Sequence, residues 1–164
     1  MPPKYKLDWY LTVDGDAPVH RWLTEDLSEE ACELIGAAML EILQEEGPKV
    51  CGTRFGRQLG DGVFEFRLDG DPQAWIDQAR ARRGKLPRRN GAKGFDVQFR
   101  IFCHAHGDRI ILLLGAYDKG HDVSKKRQQQ EIAIAKKRLQ EWTDRSRHRE
   151  KGSRSPRHRK KPSS

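Results

Sequence analysis

The stretch FDVQFRIFCHAHGDRIILLLGAYDKG, residues 95–120, decides the fold. Its first half alternates. Val97, Phe99, Ile101 and Cys103 fall on one side, and Gln98, Arg100, Phe102 and His104 on the other, as a half-buried strand requires. Gly107-Asp108 makes a tight link, and the run Ile-Ile-Leu-Leu-Leu at residues 110–114 is continuously apolar, which suits a central strand covered on both faces. Upstream, VFEFRL at residues 63–68 alternates in the same way: Phe64, Phe66 and Leu68 form the core side, and Val63, Glu65 and Arg67 the other. Three sequential strands linked in this manner predict an antiparallel meander.

Working outward, residues 28–46 carry the clearest helical pattern. Ser28 stands at the N-cap, acidic residues fill the first turn, Ile35, Ala38, Met39, Ile42 and Leu43 form one apolar face, and Gly47-Pro48 stops the run. Residues 5–13 read as a first strand ended by Asp14-Gly15-Asp16, with a short helix around His20 to Leu23. Residues 51–62 read as a loop with an Asp61-Gly62 turn. Residues 69–94, rich in Arg, Gly and Pro, read as an exposed insertion that holds a helix at 72–83. Residues 125–145 are helical, with Ile132, Ala135, Leu139 and Trp142 on one stripe, and residues 146–164 lack apolar side chains and predict a disordered basic tail. The expected architecture is α+β: one domain over residues 1–145, with helices on one face of a small twisted antiparallel sheet, a C-terminal helix, and the other sheet face left to carry a site.

A chain of 164 residues with 35% hydrophobic and 34% charged side chains builds one modest core. No apolar run approaches the roughly 20 residues of a membrane-spanning helix, and MPPKYKLDWY lacks a secretory signal, so no membrane partner and a cytoplasmic address are expected. Cys32, Cys51 and Cys103 lack disulfide or zinc spacing and read as free thiols; neither a metal nor a cofactor is expected, although His104 and His106 beside Cys103 invite the comparison. Charge is divided along the chain. Residues 1–79 hold 7 Lys/Arg against 16 Asp/Glu, residues 80–145 hold 17 against 7, and residues 146–164 hold 8 against 1. A basic second half attracts polyphosphates, unless the two halves neutralise each other in the fold.

The free sheet face is expected to present Glu65, Arg67 and Arg100, with Tyr117, Asp118, Lys119 and His121 at the exit of the central strand. Attack of a ribose 2′-hydroxyl on its neighbouring phosphate needs a base, cations at the crowded phosphate and an acid for the departing oxygen. Arg67 and Arg100 supply forked cations and Lys119 a point charge. Lys125, Lys126 and Arg127 open the last helix, where the dipole makes each cation cost about 0.3–1 kcal/mol. With Glu65 they are the candidate RNA-binding set, unless Asp122 merely caps the helix and offsets that cost. Each element also has a plain structural account: a solvated strand face for Glu65 and Arg67, a packing role for Tyr117, surface histidines at His20, His104 and His106, and a core position for Trp142.

The fragments LGDGVFEFR, FRIFCHAHGDRIILLLGAYDKG and SKKRQQQEIAIAKKRLQEW resemble the RelE/ParE toxin superfamily of type II toxin-antitoxin systems, above all its phage-derived HigB-like branch. There an L-x-D-G-L-x-E-L-R strand precedes an R-hydrophobic strand, an I-x-L-L-H-G-F-x-K-K strand end and an E-I-x-x-A-x-x-R helix. The resemblance spans residues 59–142. It implies a RelE-like fold, metal-independent ribosome-dependent cleavage of messenger RNA, and a cognate antitoxin, often a helix-turn-helix protein. By position it implies that Arg67 and Arg100 bind phosphate, that Lys119 matches the first lysine of K-K, and that Tyr117, Asp118 and His121 are acid or base candidates. Gly120 replaces a lysine, DVSKKRQQQ replaces a threonine-rich turn, and residues 69–94 exceed the expected length. Two other functions fit the same residues: a ParE-like non-enzymatic gyrase inhibitor, and a non-toxic basic RNA-binding phage accessory protein.

Overall fold

The computed structural model describes residues 3–87 and 96–154. Five strands form one sheet: β1 (Lys6–Trp9), β2 (Gly56–Gly60), β3 (Val63–Gly70), β4 (Val97–His106) and β5 (Ile110–Asp118), in the spatial order β1-β5-β4-β3-β2. The meander β3-β4-β5 is antiparallel, as expected. Two features differ from expectation. β1 pairs with β5 in parallel, so the sheet is mixed rather than antiparallel. β2 lies within the segment read as a loop, and pairs with β3 across a hairpin whose Asp61 and Gly62 both have left-handed φ (56° and 81°), the geometry that two-residue hairpins favour.

The first sheet face carries the larger core. Phe64, Phe66, Leu68, Val97, Phe99, Ile101 and Cys103 are buried there against α1 (Pro18–Arg21), its continuation through a wide π turn (Trp22–Asp26), and α2 (Glu29–Ala38). Ser28 caps α2 as anticipated, its Oγ accepting the Ala31 N–H at 3.1 Å. The helical path continues through a second π turn (Met39–Leu43) and a last turn (Gln44–Glu46), then stops at Gly47, whose φ is 58° and where a Cβ would collide with the Tyr5 ring.

The helix within the expected exposed insertion is α3 (Pro72–Arg82), and it is docked rather than exposed. Ile76 is fully buried, the Trp75 ring meets Phe55 edge-on at 5.4 Å, and Arg80 and Arg83 both grip the buried carboxylate of Glu41 on the second π turn. Residues 88–94 of that insertion lie outside the described residues.

The second sheet face is covered by α4 (Lys125–Arg154), a helix of 30 residues and about 45 Å. Ala135 and Leu139, flanked by Ile132 and Trp142, pack on Tyr10, Val63, Phe102, Leu112 and Leu114. Helices therefore flank both faces, and the expected bare face is largely roofed. The expected disorder from residue 146 is also corrected: the helix runs on through residue 154, and residues 155–164 lie outside the described residues. Beneath α4, His104 and His106 stack in parallel at 6.1 Å, with Trp142 4.6 Å from His106. His104 Nδ1 lies 2.7 Å from the Gly62 carbonyl. Cys32, Cys51 and Cys103 are free thiols, and burial pushes the Cys103 thiol far up. No helix among the described residues is long and apolar enough to cross a membrane.

Two measurements check this packing. Ile76→Ala should cost about 2–5 kcal/mol in urea unfolding, because it empties a closed site; a loss below about 0.5 kcal/mol would put α3 back in solvent. Burial, helped by the neighbouring His104, holds the His106 imidazole below its ordinary value of 6.5, so the folded state favours its neutral form. The stability this lends is present above about pH 6.5 and is lost as pH falls through the depressed value. Wild-type melting temperature should therefore drop on acidification toward pH 5 more than that of His106→Gln, and equal drops would remove His106 as the cause.

Candidate functional site

A row of three side chains crosses the second face of the sheet. Arg67 of β3 is in register with Arg100 of β4, which is in register with Tyr117 of β5. Simple alternation along β5 would not produce this row. Between Phe102 and Cys103 the register slips, so that Phe102 faces Gly115 but Cys103 faces Leu113, and Leu114 is the extra residue of a bulge. The slip puts Leu112, Leu114 and Tyr117 on one face and sends Ala116 and Asp118 to the other. The bulge is tied to α4: the Leu114 carbonyl accepts from Arg138 Nη1 at 2.8 Å, and a Cβ on Gly115 would come within 3.2 Å of that same nitrogen.

Glu65 sits at the centre with no solvent exposure. Its carboxylate faces three guanidinium groups, with Nε of Arg67 at 3.1 Å, of Arg57 at 3.5 Å and of Arg100 at 3.6 Å. Arg100 is 4% exposed and forks onto Asp69, with Nη1 donating to Oδ1 at 2.7 Å and Nη2 to Oδ2 at 3.3 Å, while Nη1 also donates to the Phe99 carbonyl at 3.0 Å. Tyr117 is 1% exposed, its ring parallel to Phe102 at 6.1 Å and under the Arg127 guanidinium at 5.3 Å. Its hydroxyl has no hydrogen-bond partner among the described residues. Burial is the first cause that raises this phenol above its ordinary value, and the Arg100 charge opposes it.

The expected site is therefore only partly assembled. Arg67, Arg100 and Tyr117 converge, but Arg100 and Tyr117 are sealed from solvent. Glu65 is corrected as an RNA contact for the same reason, being an enclosed counter-ion. Asp118 and His121 fall on the other side of the strand exit. Asp118 is in register with Phe99, its Oδ1 accepts the Gly120 N–H at 2.8 Å and its Oδ2 lies 3.2 Å from His121 Nε2. That pair opens on an acidic groove shared with Asp26, Ser28 and Asp96, so it does not converge with the arginines. Lys119, in the turn that follows β5, donates its backbone N–H to the Gln98 carbonyl at 2.8 Å.

At the start of α4, Lys125 and Lys126 are exposed, whereas Arg127 is held by Glu131 at 2.9 Å. The cap is Ser124, whose Oγ accepts the Arg127 N–H at 3.1 Å; Asp122 acts one step earlier, accepting the Ser124 N–H at 3.0 Å, and the Ser124 side chain first, then this N–H, lower its carboxyl pKa. Two groups that sequence reasoning missed complete the open part of the face: Arg57, visible only once β2 exists, and Asp69, whose side chain is 43% exposed beside Arg100. The alternation of charge along β3, Glu65, Arg67 and then Asp69, was the available signal for Asp69. Arg67 keeps 30% of its side chain in solvent. Among the described residues no group of three or more His, Cys, Asp or Glu stands together as a metal site requires.

Scanned against protein-family models the chain matches none, and no curated protein matches it at a significant level.

Removing Glu65 strips a sealed cluster of its central counter-ion. Glu65→Ala should destabilise the fold by on the order of 3 kcal/mol, as breaking a buried ion pair does. Tyr117→Phe should leave stability unchanged or raise it by up to about 1–3 kcal/mol, since it deletes a buried hydroxyl that makes no bond. A large loss on Tyr117→Phe in chemical denaturation would show that the hydroxyl has a partner.

Proposed function

We propose that the chain is a RelE-like toxin of a type II toxin-antitoxin system, a metal-independent endoribonuclease acting in the cytoplasm on messenger RNA at the ribosome and restrained by a cognate antitoxin. The observation that carries this reading is the Arg67-Arg100-Tyr117 row across three adjacent strands, at the positions where the superfamily's motifs carry their functional groups. The roles are redistributed by burial. Arg67 and Arg57 are the accessible cations that bind a phosphate, with Lys119, Lys125 and Lys126 extending the positive surface toward α4. Asp69 lies two residues beyond Arg67 on β3 and so on the same face; it is the accessible carboxylate there, placed to take a proton from a 2′-hydroxyl. Arg100 touches no substrate and acts as a positioning residue, orienting Asp69 with its fork and Arg67 through Glu65.

A second reading is favoured by one observation, the burial of Arg100 and Tyr117. If proton transfer needs either of them, the face binds RNA without cutting it, and the chain is a basic RNA-binding accessory protein.

Induced expression in bacteria followed by mapping of transcript ends separates these. The toxin reading expects growth arrest with cuts at ribosome-occupied codons, and a cleavage loss of about 100-fold or more in Arg67→Ala and in Asp69→Asn, variants that are folded by circular dichroism. Intact transcripts with RNA binding retained would leave the accessory reading, and arrest with DNA damage would point to gyrase. Full cleavage by both variants would displace the site.

A further inference from the structure

The two turns that open α4, KKRQQQE at residues 125–131, contain no apolar side chain, and none of these residues is buried. The helix joins the apolar core from Ile132 onward, through Ala135 and Leu139, and is pinned there by Arg138 on the Leu114 carbonyl. The preceding turn adds no anchor, since Val123 is 66% exposed. These first turns nevertheless roof one end of the arginine row. The Tyr117 ring lies 5.3 Å beneath the Arg127 guanidinium, and Arg127 is held over it by its Nε bond to Glu131 Oε1 at 2.9 Å.

That cover is weakly fastened. The Arg127 side chain is 41% exposed, and a solvated i,i+4 pair contributes little, less still with the cation on the N-terminal side. Three consecutive cations in a first turn without an acid oppose the helix dipole. Beneath them Tyr117 is 1% exposed, yet its hydroxyl has no hydrogen-bond partner among the described residues, a group that the closed form leaves unsatisfied. A segment with no apolar anchor, mutually repelling charges and an unpaired hydroxyl below it opens locally at low cost. A phosphate favours that opening. It accepts two parallel bonds from a guanidinium that gives Glu131 one, and it draws on the charges of Lys125 and Lys126 as well. In the closed form the Glu131 carboxylate holds the place of that phosphate.

We infer that residues 125–131 are a lid, latched over Tyr117 by Glu131 and opened when an RNA phosphodiester takes Arg127 from that carboxylate. The identity of the ligand rests on the reading of this face as RNA-binding; the lid rests on the contacts around Tyr117. Two measurements on the full chain test them separately. In hydroxyl-radical footprinting without RNA, Glu131→Gln should raise oxidation of the Tyr117 ring by about threefold or more over wild type. Tyr10, 2% exposed under the anchored part of the same helix beside Arg138 and Arg145, should stay protected. Asp144→Asn, which removes an equal charge farther along α4, should leave both rings as in wild type. The second measurement is anisotropy with a labelled 2′-O-methyl oligoribonucleotide of about ten residues, which has no free 2′-hydroxyl and stays intact. Glu131→Gln should bind it about threefold or more tighter than Asp144→Asn does, and Arg127→Gln should bind more weakly with a flatter salt dependence. Tyr117 as protected in Glu131→Gln as in wild type, or Tyr10 uncovered in step with it, would overturn the lid. Oligonucleotide binding that gains nothing from Glu131→Gln would overturn Glu131 as the competitor and leave the RNA reading standing. Absence of binding by every variant would overturn the ligand together with the RNA reading, and the footprint would then decide the lid alone.

Discussion

The second face of the sheet is organised around a carboxylate that water does not reach. Glu65 projects from the middle of β3 into a space that an apolar residue would fill in most sheets, and three guanidinium groups converge on it from β2, from β3 itself and from β4. An enclosed carboxylate is tolerable only when opposite charge surrounds it, so Arg57, Arg67 and Arg100 have little freedom to be anything else. Arg100 in turn fixes Asp69, and Arg67 keeps a flank in solvent. The buried charge cluster and the accessible cations are one construction seen from inside and outside.

The bulge in β5 performs the complementary task on the other side of β4. By adding one residue at Leu114 it turns Tyr117 toward Arg100, and it frees a carbonyl that Arg138 of α4 then satisfies. Gly115 leaves room for that guanidinium. The roof helix is thereby keyed to the sheet by a polar contact at a defined position along its length, in addition to its apolar stripe through Ala135 and Leu139.

Much of this was legible in the residues alone, and the exceptions have physical causes. The faces of β3 and β4 follow from strict alternation, the start of α2 from Ser28 and its acidic first turn, and the stripe of α4 from Ile132, Ala135 and Leu139. β2 was invisible because Arg57 and Gln58, set between glycines, have no pattern of their own; the strand exists through its pairing with β3. The bulge was hidden by the run of leucines, which fits either phase of alternation. The docking of α3 rests on Ile76 and on a carboxylate clamp that only three-dimensional proximity creates. A helix once nucleated adds residues at little further cost, which carries α4 past its last apolar contact. The candidate site was found in outline and misjudged in depth. Charged side chains at alternate positions of β3 read as solvated, and nothing local in the chain reveals that a helix starting about 60 residues downstream will lie across them.

The parallel pairing of β1 also sets an order of events during synthesis. Lys6 and Ile110 are neighbours in the finished sheet yet roughly 100 residues apart along the chain, and contacts of such high sequence separation form late. At ordinary elongation rates of about 5–20 residues per second, the N-terminal strand waits several seconds for its partner to leave the exit tunnel. Until then its tryptophan and leucine have no sheet to join, and the nascent chain presents them to whatever chaperone is at hand.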